Sequence, residues 1–211
     1  MIADSNGLIF NPKIFLSAFL IFFFICIANA QQDTSKQGIT LDLQAIHDVA
    51  QMVSDSFGAP VDLVKGFILE AKEMERDEGI PATAFIGIAI LESTGFTSYL
   101  YQNAQNPFGM RATKIWHGDT FVMWHEGTDS PFRKYSSPRE AVRDFAAFLN
   151  SRKWFRDALA CPTSNLECFL KAMSADPVKK EPGYAADPEW ANKIRRVIKK
   201  YGLDRLGTRS K

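Results

Sequence analysis

One stretch of the 211-residue chain sets up acid–base chemistry by residue type alone. Ala82 to Leu91 spells ATAFIGIAIL, apolar except for Thr83, and runs directly into Glu92-Ser93. A helix that is apolar all round is buried on all sides, so this one is expected to be central. A carboxylate at its end faces desolvation and also the negative end of the helix dipole. Both effects disfavour the charged form and raise the carboxyl pKa. A carboxyl group kept protonated near neutral pH is what a general acid needs to protonate a leaving oxygen. A surface glutamate just past the helix end fits the same spacing, and these residues alone leave the two readings even.

Other chemistries find little support. His47, His117 and His125 lack a metal-ligand pattern such as HExxH, and the chain has no Gly-rich phosphate loop. No Ser/His/Asp set is recognisable, although such sets are not local in sequence. Metal and nucleotide cofactors are therefore not expected. With Lys+Arg 25 against Asp+Glu 24, the net charge of +1 points neither to nucleic acid nor to an anionic membrane. The composition, 46% hydrophobic and 23% charged, supplies a core and excludes disordered and collagen-like chains. The length suits one domain with an extension.

The elements that must position Glu92 follow from periodicity. Leu43, Ile46, Ala50, Val53 and Phe57 repeat at helical spacing until Gly58-Ala59-Pro60. A second helix carries Val64, Phe67, Ile68, Ala71 and Met74 on one face and ends at Gly79. Glu70, Lys72, Glu73, Glu75, Arg76, Asp77 and Glu78 on its other side read as solvated. Pro81 opens the apolar helix. Ser93 to Arg111 reads as loop. Thr120–His125 and Phe132–Tyr135 read as short strands joined by a turn over Glu126–Pro131. Ser137-Pro-Arg-Glu140 is a capping box that opens a helix to about Asn150, with Ala141, Val142, Phe145, Phe148 and Leu149 on its apolar face. Another helix is expected from a Ser164 cap to Met173. The last is capped by Asp187-Pro188, buries Trp190, Ile194, Val197, Ile198 and Tyr201, and stops at Gly202.

The N-terminal region differs in character. Ile14 to Ile27 is apolar except for Ser17, and Ala28-Asn29-Ala30 follows, the pattern of a secretory signal peptide over residues 1–30. As a helix this run would reach about 21 Å, short of a roughly 30 Å hydrocarbon core, so no stable membrane span is expected after its removal. An uncleaved anchor is the minority reading. Residues 31–60 then form an extension with one helix, residues 61–206 the main domain and 207–211 a tail. Export puts Cys161 and Cys168 in an oxidising compartment, where they read as a disulfide. Closing that loop would stabilise the fold by roughly 2–2.5 kcal/mol in the chain-entropy picture.

From Gly79 the chain runs GIPATAFIGIAILESTGFTS, NPFGM, WHGDTF, FRKYSS and GYAADPEWANKI. In that order it resembles the glucosaminidase family of peptidoglycan hydrolases, glycoside hydrolase family 73, which includes the muramidase domain of flagellar-assembly proteins. The matching motifs are Leu91-Glu92-Ser93, Asn106-Pro107-Phe108-Gly109 and Tyr184-Ala185-Ala186-Asp187-Pro188, within about Leu63 to Leu206.

The resemblance implies a mainly α, lysozyme-like bundle with one small β-hairpin flanking a glycan groove. It implies hydrolysis of the β-1,4 bond after N-acetylglucosamine, with peptidoglycan glycan strands as partner and Glu92 as general acid. The family's second carboxylate lies on the hairpin, where Glu126 is the best match and Asp119 and Asp129 are weaker ones. Carboxyl groups roughly 6.5–9.5 Å apart would mean inversion, and roughly 5–5.5 Å retention. Attack by the substrate's own acetamido group is a third route, for which Tyr184 could orient the sugar. Phe108, Trp116, Tyr135 and Tyr184 fall in the matched motifs as possible sugar platforms, and Asn106 could bind an acetamido group or hold its loop. A lytic transglycosylase of the lysozyme superfamily is the nearest alternative. The Thr-Gly-Phe after Ser93, where the family has Gly-Trp, motivates another: a non-catalytic peptidoglycan-binding module.

Overall fold

The computed structural model describes residues 2–3, 9–10, 42–174 and 183–206. The apolar run and small-residue triplet assigned to the signal peptide lie outside the described residues, as do residues 31–41 of the extension and the tail 207–211. The chain divides into two units, Met1–Gln44 and Ala45–Lys211. In the first, β1 (Ile2–Ala3) pairs antiparallel with β2 (Ile9–Phe10), Ile2 opposite Phe10.

From α1 (residues 42–57) onward the chain is mainly helical. In order come α2 (Val61–Glu78), α3 (Ala82–Glu92), α4 (Tyr99–Ala104), β3 (Thr120–His125) and β4 (Thr128–Arg133). Next are α5 (Pro138–Ser151), α6 (Arg156–Leu159), α7 (Leu166–Met173) and α8 (Trp190–Tyr201).

The apolar helix is central, as its composition predicts: Ala82 and every residue from Ala84 to Ile90 are buried. It packs against α2, α7, α8 and the 3-10 turn Leu203–Leu206. A Cβ at Gly87 would stand 3.2 Å from Ile194 and 3.3 Å from Ile198, so the bare Cα lets α8 come close. Each fully buried Phe or Ile in this core, such as Phe85 and Ile88, contributes roughly 1.5–3 kcal/mol. Ile46, Val49, Ala50 and Val53 of α1 join the same core, and Phe57 lies 6.1 Å from the Tyr201 ring. The helix expected in the 31–60 extension therefore packs with the bundle.

Several local expectations are corrected. The 93–111 stretch contains α4, because the Ser98 side chain accepts from Tyr101 N and caps a six-residue helix. The hairpin turn is two residues long, Glu126-Gly127, with His125 opposite Thr128 and Thr120 opposite Arg133. Pro131 thus lies within β4, where its carbonyl accepts from Ala112 N. The cap of α7 is Asn165, one residue later than expected, with its side chain accepting from Cys168 N. Glu75 is buried, not solvated: its Oε1 accepts from Ala82 N at the start of α3, a donor that Pro81 cannot cap with a side chain. Cys161 and Cys168 form a disulfide with Cα atoms 5.8 Å apart.

Candidate active site

Helix α3 delivers Glu92 to a groove of about 570 Å³. The chain then turns away sharply. Ser93 Oγ donates to Ala89 O and accepts from Phe96 N, while Gly95 N donates to Ile90 O. Thr94, Gly95 and Phe96 all have left-handed backbones, with φ of 53°, 61° and 68°. The turn drives Phe96 into the core, 5.0 Å from the Phe67 ring, and leaves Glu92 facing the groove.

Glu92 is exposed as a residue and lines the groove, where neighbouring protein partly desolvates its carboxyl. Burial raises its pKa above the usual glutamate value. Two weaker effects oppose this: Trp190 Nε1–H donates to Oε1 at 3.1 Å, and the Lys193 ammonium attracts the charged form. Among the described residues lining the groove, Glu92 is the one carboxylate.

One wall is the hairpin, which contributes Met123, His125, Phe132 and Arg133. Its base is clamped to α5. Arg133 Nη1 reaches both Asp144 oxygens at 2.7 and 2.6 Å, and Tyr135 Oη donates to Oδ2 at 2.5 Å. Arg133 also stacks on Trp116, 4.7 Å from its ring. The opposite wall carries Phe148, Arg152, Tyr184 and Ala185, and α4 adds Tyr99.

The residues singled out from sequence take different places. Tyr184 lines the groove with its ring 5.2 Å from Trp190, and its hydroxyl donates to Phe108 O at 2.9 Å. Burial, and secondarily the charge of Glu92, pushes the Tyr184 phenol well above its ordinary pKa. Phe108 touches the groove but is 3% exposed and stacks on Phe145 at 4.1 Å.

Asn106 is buried, and its amide is committed to backbone. It donates to Met110 O and Arg133 O and accepts from Met110 N, so it clasps the loop to the hairpin. Tyr135 is buried in the Asp144 clamp, where burial and then the Asp144 bond hold its phenol far above the ordinary value. Trp116 buttresses Arg133 and donates its indole N–H to Asp119 O. None of these three lines the groove.

Glu126 occupies the hairpin tip at φ 50°, with its side chain 77% exposed. It lies 3.6 Å from Arg111 and 3.7 Å from His125, both groove-lining, but does not itself line the groove. Asp119 and Asp129 are exposed and also stand outside the lining.

Sequence reasoning placed Trp190 only in the core and passed over Lys193, Arg111, Arg152 and Asp144. Trp190 was discoverable, since it stands two residues after the matched Tyr184–Pro188 motif. The others depend on long-range packing. Among the described residues, no group of three or more His, Cys, Asp or Glu could hold a metal ion, and no helix is long and apolar enough to cross a membrane.

A helical bundle whose central helix brings a carboxyl to an open groove, with a hairpin forming one wall, has the architecture of a glycoside hydrolase. The family model described as mannosyl-glycoprotein endo-beta-N-acetylglucosaminidase matches residues 69–203, and the chain belongs to this glucosaminidase family. It is 27% identical over 156 residues to the peptidoglycan hydrolase FlgJ of Vibrio parahaemolyticus, covering 68% of this chain and 48% of that protein. It is 31% identical over 126 residues to the exo-glucosaminidase LytG of Bacillus subtilis, covering 56% and 43%. The chain thus spans about half the length, or less, of these relatives.

Among solved structures, the glycoside hydrolase domain of Salmonella typhimurium FlgJ matches with a TM-score of 0.55 at 25% identity, covering 68% of this chain and 88% of that one. A peptidoglycan hydrolase from Sphingomonas sp. A1 matches in fold, with a TM-score of 0.57 at 24% identity, covering 71% and 97%.

Proposed function

We propose that the protein is an exported endo-β-N-acetylglucosaminidase that cleaves the β-1,4 bond after N-acetylglucosamine in peptidoglycan, with Glu92 as its general acid. The observation that carries this reading is the placement of Glu92: a carboxyl with a raised pKa, facing a groove large enough for sugar rings. Family membership and the peptidoglycan hydrolases among the relatives support the substrate. The signal-like N-terminus supports export.

In this mechanism the protonated Glu92 gives its proton to the glycosidic oxygen as the bond breaks. Water then completes the hydrolysis, leaving a reducing-end N-acetylglucosamine. Tyr184 and Phe148 offer ring surface to the apolar faces of the sugars. Glu126 is the hairpin carboxylate of this reading. Water activation would require it to turn inward from its exposed position beside Arg111.

Among the described residues the groove lining holds a single carboxylate, which favours a second reading, a lytic transglycosylase that needs no second carboxylate. Mass spectrometry of the soluble products from peptidoglycan separates the two. Fragments with reducing-end N-acetylglucosamine, lost in Glu92→Gln, are expected. Anhydro-muropeptides would establish the transglycosylase. Retained binding to sacculi without products would identify a binding module.

A further inference from the structure

A neutral glycan does not account for the charge of the groove. Arg111, His125, Arg133 and Arg152 line it, against Glu92 as the one carboxylate among the described lining residues. Two of the arginines are engaged: Arg133 with Asp144, and Arg111 with Glu126 and the face of Phe132.

Arg152 is different. It stands where the chain leaves α5, and its guanidinium lies over the rings of Phe148 at 5.3 Å and Trp154 at 5.6 Å. No carboxylate partner meets it among the described residues, and its Nε–H is buried without a hydrogen-bond acceptor. A buried guanidinium donor left unpaired is costly, and a planar guanidinium steadied by aromatic rings is suited to a carboxylate.

We propose that Arg152 is a carboxylate-recognition site in the groove, taking a carboxylate carried by the muramic unit of the glycan. This rests on the peptidoglycan reading above. Two sources share the chemistry: the free lactyl carboxylate of glycan stripped of peptide, and a carboxylate of an attached stem peptide. Arg152 thereby distinguishes muramic-containing strands from neutral N-acetylglucosamine polymers. It does so by pairing with charge, and the aromatic platforms cannot make that distinction.

The test uses the full chain as wild type, Arg152→Gln and Arg152→Lys. The substrates are soluble peptide-bearing glycan, peptide-free glycan, and both after conversion of their carboxylates to amides. Arg152→Gln is expected to lower kcat/KM by about ten- to a hundred-fold on the carboxylate forms and by less than about two-fold on the amides. Lys should restore part of the loss. A loss on peptide-free glycan assigns the lactyl carboxylate, and a loss confined to peptide-bearing glycan assigns the stem. Equal losses on native and amidated substrates would overturn the site, because lost packing against Phe148 and Trp154 acts on both. Binding by calorimetry in a Glu92→Gln background is measured in parallel. If wild type cleaves nothing yet binding still separates carboxylate from amide through Arg152, the hydrolase reading fails and the site stands. If neither readout depends on Arg152, the site is refuted.

Discussion

Glu92 and Glu126 are both carboxylates beside one groove, and the elements that carry them could hardly differ more. Glu92 ends an eleven-residue helix of which Ala82 and Ala84 to Ile90 are buried, and core packing of α3 fixes its position. Glu126 tips a two-residue turn, 77% exposed, held by an arginine and a histidine at 3.6 and 3.7 Å. Exposed ion pairs of that kind contribute little, of order 0–1 kcal/mol. The helix therefore holds a carboxyl with a raised pKa in a fixed place, while the hairpin presents a solvated carboxylate free to reorient. In the proposed mechanism the acid is in place before substrate arrives, and any role for the second carboxylate depends on how the hairpin responds.

The largest expected effect comes from replacing the fixed acid. Glu92→Gln should lower turnover of peptidoglycan by about 10²–10⁴-fold, the usual worth of a positioned general acid. Glu126→Gln should cost less; equal losses in the two variants would place Glu126 at the reacting bond as well. The same Glu92 substitution should raise stability at neutral pH. A carboxyl whose folded pKa lies above its unfolded value favours the folded state when protonated, and that contribution is lost as pH rises from the unfolded value through the folded one. Thermal melts at acidic and neutral pH check the sign.

The hairpin can be loosened at its base. Asp144→Ala leaves Arg133, whose side chain is 10% exposed, without its partner, and should cost about 3–5 kcal/mol in denaturant unfolding. It should also impair turnover more on long strands that span the hairpin wall than on short oligomers. A smaller effect is expected on the acid itself. Trp190→Phe removes a hydrogen bond that favours charged Glu92, so the alkaline limb of the kcat/KM profile should move to higher pH. Movement to lower pH would mean that Trp190 acts on the acid in some other way. Least of all, Thr94→Gly should stabilise by about 0.5–1 kcal/mol by relieving a β-branched residue at φ 53°, with turnover unchanged.

The helical half of the site was legible because its signals are local. A ten-residue apolar run opened by Pro81 favours a buried helix, and Gly58, Gly79 and Gly202 mark ends that the φ values of 80°, 68° and 60° require. The cap of α8 is Glu189, two residues later than expected and without a side-chain capping bond, while Asp187 Oδ1 accepts from Glu189 N in the turn just before the helix. The hairpin was not readable to the residue. Pro131 suggested a turn, but β4 tolerates it because the carbonyl still finds Ala112. Buried polar groups were the least legible. Glu75 sits among charged neighbours on a helix face that reads as solvated, and its bond to Ala82 N exists only once α2 and α3 pack. Asn106, Tyr135 and Trp116 carried motif signals that a glycan site and a loop clasp share, and only the packed fold separates the two uses.

The central claim is that burial at the end of α3 makes Glu92 the acid of the groove. Titration of ¹³C-labelled glutamate carboxyls by NMR tests it, with the Glu92 resonance assigned by its loss in Glu92→Gln. The account predicts a midpoint above the ordinary glutamate value, moving further up in Trp190→Phe. A midpoint at or below the ordinary value would contradict it.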